Sequence, residues 1–214
     1  MTYSIQSIQV GLPKTVDYKG KEVTTSIFKE PVTGPVKLMK TGVEGDQQAD
    51  LINHGGVDKA VCVYPLDHYS YWGDKLGGSL GPAAFGENLT VIALTEEQAH
   101  IGDTFRVGEA LVQVSQPRMP CFKLNVKHGV TKFPLWIQET GWSGYYLRVL
   151  EEGNVRVGDT FSLVDRVEGH PTVLEVNQLY YPKDINKEQL RRMSQLPELA
   201  DAWKKAFSKK LANA

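Results

Sequence analysis

The phrase Ile101-Gly102-Asp103-Thr104-Phe105 recurs as Val157-Gly158-Asp159-Thr160-Phe161, and each copy runs into an alternating segment, Phe105-Arg106-Val107 and Phe161-Ser162-Leu163. A Gly-Asp turn that leads the chain into a strand, used twice, predicts a closed or strongly bent sheet. The phrase is too short to signal a repeat architecture. Leu111 to Val114 alternates between the two copies, and Tyr3 to Val10, Val23 to Phe28 and Val36 to Met39 are further strand candidates, the last two separated by Pro31, Gly34 and Pro35. Ala60-Val61-Cys62-Val63-Tyr64 is almost wholly apolar and predicts a buried strand. Pro65 then opens a helix with Leu66, Tyr69 and Leu76 on one face, ended by Gly77-Gly78. Leu89 to Ile92 and Tyr146 to Leu150 read as strands as well.

The pattern changes near Asp165, beyond which glycine is almost absent. Thr172-Val173-Leu174-Glu175 is a capping box, Asn186 caps a second helix from Lys187 to about Gln195, and Pro197 begins a third with Leu199, Trp203, Phe207 and Leu211 at spacings of four. Three short helices bury little surface alone, so they are expected to pack on each other, with the barrel as the second available surface. The reading is a mainly β, α+β chain: residues 1–165 as a barrel domain with peripheral helices, residues 166–214 as a small three-helix domain.

At 214 residues the chain is long enough to bury a core without staples. A formal net charge of −1 gives no global field towards a nucleic-acid polymer or a membrane. The basic tail from Lys204 to Lys210 reads as the wet face of a helix. No signal peptide and no membrane-spanning apolar run are visible, and two cysteines do not make a disulfide framework. The expectation is a reduced, cytoplasmic protein. A homodimer is compatible with all of this.

Chemistry concentrates in three places. In Gln116-Pro117-Arg118-Met119-Pro120-Cys121-Phe122-Lys123-Leu124 a thiol follows a proline and stands between a guanidinium and an ammonium. The cations favour thiolate, which suits a nucleophile or a soft-metal ligand; the competing reading is a buried structural thiol. Cys62, inside its apolar run, reads as a small core residue. The stretch from Gly45 to Ala60 is dense in polar groups and carries His54-Gly55-Gly56 and Lys59; paired glycines let a backbone approach an anion, against a bland hairpin in which Asp46 and Asp50 make turn hydrogen bonds. Zinc or iron on Asp46, Asp50 and His54 is disfavoured by Gly55-Gly56 and by the lack of a second nearby histidine. Glu87 and Asn88, in Phe85-Gly86-Glu87-Asn88-Leu89-Thr90, offer carboxylate and carboxamide groups able to read a heterocycle's amide edge, or else form a loop before a strand. Trp142 and Tyr145 are weaker candidates for the mouth of a flat pocket. There is no nucleotide fingerprint, P-loop or nucleophile elbow.

Together these three motifs resemble the MOSC domain, named after the C-terminal part of molybdenum cofactor sulfurase. They are most similar to its stand-alone bacterial YiiM-like branch, associated with resistance to N-hydroxylated purines. Pro82-Ala83-Ala84-Phe85-Gly86-Glu87-Asn88-Leu89, Ser115-Gln116-Pro117-Arg118 and the three-helix C-terminus look particularly like that branch. The resemblance implies a β-barrel that binds a molybdenum–pyranopterin cofactor, with Cys121 as metal ligand and catalytic centre. Arg118 and Lys123 would hold thiolate character or the cofactor's phosphate; His54, Gly55, Gly56, Lys59, Glu87 and Asn88 are assigned to the cofactor's pterin side.

It further implies molybdenum-dependent reduction of N-hydroxylated compounds, such as hydroxylaminopurines and amidoximes, to amines or amidines. With no flavin or iron–sulfur motif in the chain, electrons would come from a separate reductase, a flavin or iron–sulfur protein. The alternative is a sulfur or cofactor carrier that uses a Cys121 persulfide. Pyridoxal phosphate on Lys59 is weaker, because no aminotransferase-like domain precedes it.

Overall fold

A computed structural model describes residues 2–181 and 186–213. The strands are β1 (Ser4–Val10), β2 (Lys14–Tyr18), β3 (Lys21–Thr25), β4 (Glu30–Pro31), β5 (Val36–Met39), β6 (Gly42–Val43), β7 (Val61–Pro65), β8 (Leu89–Ile92), β9 (Thr104–Val107), β10 (Ala110–Pro117), β11 (Tyr145–Glu151), β12 (Gly153–Val155) and β13 (Ser162–Asp165). Eight of them form one mixed sheet in the order β13-β9-β10-β11-β7-β8-β1-β4. Its parallel pair is β7 and β8, and the crossover between them carries helix α2 (Tyr69–Leu76), since parallel neighbours need a long connection. The helix ends at Gly77 in the left-handed conformation, as the paired glycines predict.

The repeated Gly-Asp phrase explains how the sheet curls. Gly102 and Gly158 take φ of 91° and 90°. Asp103 Oδ2 accepts from His100 N and Asp159 Oδ2 accepts from Arg156 N, both at 2.9 Å. The two phrases are therefore the same turn, and the strands that follow them lie side by side as β9 and β13. Just before β13, Ile5 N donates to Asp159 O and Phe161 N to Tyr3 O, each at 2.9 Å. These bonds tie β1, near one end of the sheet, to the strand at the other end, and the sheet wraps into a barrel-like shell.

Valines 61 and 63 of β7 point into the main core with Leu89, Val112, Val114 and Leu147. Tyr64 points the other way, into a second aromatic cluster with Trp72, Phe85 and Phe133. That cluster is roofed by α3 (Lys123–His128) and α4 (Phe133–Thr140). Neither helix was expected; both end on left-handed glycines, Gly129 and Gly141, and Pro134 sits at the start of α4.

The C-terminal helices are α5 (Val173–Tyr180), α6 (Lys187–Ser194) and α7 (Asp201–Ala212). The Thr172–Glu175 capping box forms, and Asn186 caps α6 by accepting from Gln189 N at 3.1 Å. The third helix starts at Asp201 rather than Pro197. Ala200 N donates to Ser115 O on β10 at 3.0 Å and Arg148 Nη2 to Glu198 O at 2.9 Å, so the barrel claims this backbone before the helix can. Val173, Val176, Leu190, Trp203 and Phe207 belong to the same apolar cluster as the barrel interior. Among the described residues, no helix is long and apolar enough to cross a membrane.

Candidate functional site

Cys121 leaves the end of β10 on a short loop pinned by Arg118 N donating to Gly144 O at 3.0 Å, and Cys121 O accepts from Leu124 N at 3.1 Å as α3 begins. Its thiol is half-buried and faces two cavities. The first, of about 520 Å³, is lined by Ser26, Lys29, Asp46, Cys62 and Arg118, among others. The second, of about 800 Å³, is lined by Asp50, Lys59, Gln116, Met119, Phe122 and, from α7, Ala202 and Trp203. His54, Cys121, Lys123 and Tyr146 border both.

The first cavity is electropositive. Arg118 is 6% exposed, and among the described residues no acidic side chain pairs with its guanidinium. Lys29 and Asp46 form a buried ion pair on the same wall. Burial, with Lys123 and Arg118 close by, lowers His54 from 6.5 to about 4, so its imidazole is neutral at neutral pH. Burial also lowers Lys59, against the pull of Asp50 and Asp58. Two polar atoms are orphaned here: Ser26 Oγ on the first cavity and Gln116 Oε1 on the second are buried without a hydrogen-bond partner. Buried polar atoms left this way cost free energy unless a ligand or water satisfies them.

Five of the expected residues, His54, Lys59, Arg118, Cys121 and Lys123, thus meet around one thiol. The other four, Gly55, Gly56, Glu87 and Asn88, border neither cavity. Glu87 is fully buried; its carboxylate accepts from Tyr69 Oη, from Thr90 Oγ1 at 2.9 Å and from Phe85 N at 2.9 Å, and it borders neither cavity. Asn88 accepts from Cys62 N at 3.1 Å and donates to Asp46 Oδ2 at 2.9 Å and to Gln9 O at 3.3 Å. Both side chains spend their hydrogen-bonding capacity on holding the cavity wall, where the sequence pointed to a ligand contact. Gly86 lets that wall close, because a Cβ there would lie 2.6 Å from Ile27 Cγ1. Gly55 and Gly56 shape backbone. Gly55 N donates to Leu51 O at 3.2 Å, ending the four-residue helix α1 (Leu51–His54), and Gly56 takes φ of 104°.

Cys62 is buried as expected, on the face of its strand away from the core valines, and it also borders the first cavity. Burial pushes its thiol up to about 11. Asp46 pairs with Lys29 instead of joining Asp50 and His54 around a metal. Trp142 stacks on His68 with ring centroids 4.3 Å apart, and the buried Tyr145 donates its hydroxyl to Leu94 O at 3.0 Å, so neither forms the mouth. The aromatic walls are Tyr146, Phe122 and Trp203 instead. Sequence reasoning gave no site role to Ser26, Lys29, Gln116, Tyr146 or Trp203. Of these only Gln116 carried a signal, since it belongs to the motif that contains Cys121.

The MOSC domain family profile matches residues 50–162, and the YiiM-like, 3-alpha helix domain profile matches residues 171–214. The chain is 48% identical to the Bacillus subtilis protein YflK over 208 residues, covering 97% of this chain and 94% of that one. It superimposes on the crystal structure of YiiM from Geobacillus stearothermophilus with a TM-score of 0.84 at 39% identity, covering 98% of this chain and 99% of that chain. A Gibberella moniliformis protein named reductase is 37% identical over 187 residues, 83% of this chain but 32% of that longer protein. With the MOSC profile spanning the Cys121 loop and more than half of the chain, the chain belongs to the MOSC domain family, in the branch that carries the YiiM-like three-helix domain.

Proposed function

We propose that this protein holds a molybdenum–pterin cofactor through Cys121 and reduces N-hydroxylated compounds, hydroxylaminopurines to amines and amidoximes to amidines. MOSC domains are associated with this cofactor in general, and the reductase name of the Gibberella relative supports redox chemistry. The residues present fit the group. A half-buried thiol suits a soft metal. Arg118, Lys29 and Lys123 suit an anionic tail, and the orphaned Ser26 Oγ is a hydrogen-bonding group awaiting a partner. The observation that carries the reading is the place of Cys121 on the shared wall of a basic cavity and a roomier one. The first would hold the cofactor and the second the substrate.

When bound, the metal supplies the two-electron chemistry that cleaves the N–O bond. The net change is R–NH–OH + 2e⁻ + 2H⁺ → R–NH₂ + H₂O. Arg118 and Lys123 would hold the anionic tail. The neutral His54 offers one ring N–H and one ring acceptor at the boundary without adding charge. Lys59, on the second cavity, holds at Nζ a proton that burial makes easier to release to the departing oxygen. Met119, Phe122 and Trp203 exclude water from that side. Electrons come from a separate flavin or iron–sulfur reductase.

The test is Cys121→Ala made in a host that synthesises the cofactor. The variant is expected to retain no molybdenum and to reduce no hydroxylaminopurine. Wild-type turnover with a full complement of molybdenum refutes the assignment. A stable added sulfur on Cys121 of wild-type protein that carries no molybdenum refutes it in favour of a sulfur carrier.

A further inference from the structure

We infer that Gln116 is the specificity residue of the second cavity, and that its side-chain oxygen selects N-hydroxylated heteroaromatics whose ring carries an N–H donor. The inference rests on the assignment of that cavity to the substrate. Gln116 is 2% exposed, and its Oε1 is buried without a partner while bordering the cavity that Cys121 also borders. The amide's orientation follows from its neighbour. Nε2 lies 3.3 Å from Pro117 O, and a carbonyl oxygen can only accept, so the nitrogen must face it and the oxygen must face away. The unpartnered polar atom on the Gln116 side of the cavity is therefore an acceptor.

The backbone is built to place this group. The pairing of β10 with β11 slips between Val114 and Gln116, and Gln116 then sits opposite Tyr146. A bulge of this kind re-aims the side chain that follows it. Ser115, just before, is locked by its hydroxyl donating to Asp58 O at 2.6 Å. Pro117, just after, accepts from Trp203 Nε1 at 3.1 Å. Strand β10 and helix α7 are thus fastened together on both sides of Gln116, and Tyr146 and Trp203 supply aromatic surface beside it. A flat ring set between such surfaces with an N–H aimed at Oε1 satisfies the orphaned acceptor. A ring without that donor leaves the acceptor buried and unpaired, and a site built to hydrogen-bond its ligand rejects such an analogue.

The test pairs two proteins with two ligands, 6-N-hydroxylaminopurine and its 9-methyl derivative, which lacks the ring N–H. Equilibrium binding is measured calorimetrically on wild-type protein and on Gln116→Met, which keeps volume but removes the acceptor; turnover is measured on the molybdenum-loaded forms. Wild type is expected to bind the parent purine about tenfold more tightly than Gln116→Met does, with KM following the affinity and kcat within about threefold. The parent-to-methyl affinity ratio should be about tenfold larger in wild type than in the variant, because a steric clash of the methyl group would penalise both proteins alike. Equal ratios in the two proteins overturn the inference, as does a Gln116→Met effect confined to kcat. Should the variant not fold, wild type decides with a third ligand, the isostere in which a ring oxygen replaces N9–H and adds no bulk: affinity equal to that of the parent purine overturns the inference, and weaker binding of the isostere upholds it. Wild type that binds the parent purine with the expected preference but never reduces it refutes the reductase reading and leaves the role of Gln116 standing.

Discussion

Asp46→Asn isolates the most exposed assumption about the site, that its wall is held by a buried charge pair. The Lys29 and Asp46 side chains are only 6% and 5% exposed. Asp46 Oδ1 also accepts from Gly11 N at 2.8 Å and Oδ2 from Asn88 Nδ2 at 2.9 Å. The asparagine keeps one acceptor for Gly11, but its amide nitrogen faces the Asn88 amide, donor against donor, and the Lys29 ammonium is left buried without its counter-charge. Stranding one partner of a buried pair costs about 3–5 kcal/mol. At about 2–4 °C per kcal/mol for a chain of this length, the melting temperature should fall by roughly 6–20 °C. The double variant Lys29→Met/Asp46→Asn strands no charge and should recover at least about 2 kcal/mol of that loss. Urea denaturation of the three proteins, followed by far-UV circular dichroism, measures both differences. A double variant no more stable than Asp46→Asn refutes the ion-pair reasoning, because the loss would then belong to the hydrogen bonds with Gly11 and Asn88. Both variants should hold less cofactor, since both residues line the basic cavity.

The lowered His54 gives a pH signature of definite sign. Its folded value of about 4 lies below the usual 6.5, so between those limits the unfolded chain binds more protons and stability falls as pH drops from 6.5 towards 4. Thermal melts of wild type and His54→Gln should run parallel above pH 7 and converge or cross as pH falls towards 4; a constant gap refutes the assignment. Glu87→Gln replaces a three-fold acceptor by a group that turns an N–H towards buried donors, and should cost about 1–3 kcal/mol while leaving molybdenum content unchanged in protein grown cold. Normal stability with lost metal would make Glu87 a cofactor contact after all.

How legible each feature was depends on the range of the interactions that set it. The turn at Gly102-Asp103 and its twin at Gly158-Asp159 are closed by the aspartate's own neighbours, so sequence alone located both. The same holds for Thr172 with Glu175 and for Asn186. The third helix was placed four residues early because a long-range bond, Ala200 N to Ser115 O, outweighs the helix-start signal of Pro197. Helices α3 and α4 escaped notice because they are short, six and eight residues, and neither has a side-chain cap at its start to mark it. In the site, charge next to a thiol is a local fact, and Arg118, Cys121 and Lys123 were found. Lys29 and Trp203 reach the cavities from opposite ends of the chain, and nothing local marks them.

Asn88 shows how a side chain can serve a cavity without bordering it. Its one carboxamide joins β1 through Gln9 O, β7 through Cys62 N, and the polar loop through Asp46. Asp46 in turn holds Lys29 on the cavity wall. That placement bears on the two thiols that share the cavity. Cys62 is fixed on a strand at full enclosure, and burial raises it to about 11 even though Arg118 pulls it down, so it stays protonated at neutral pH and is a poor ligand. Cys121 stands on a loop, half-buried, at the boundary of both cavities. The arrangement therefore separates the two sulfurs by burial, and a metal entering the basic cavity would meet one thiol on a half-buried loop and one held in its neutral form on a buried strand.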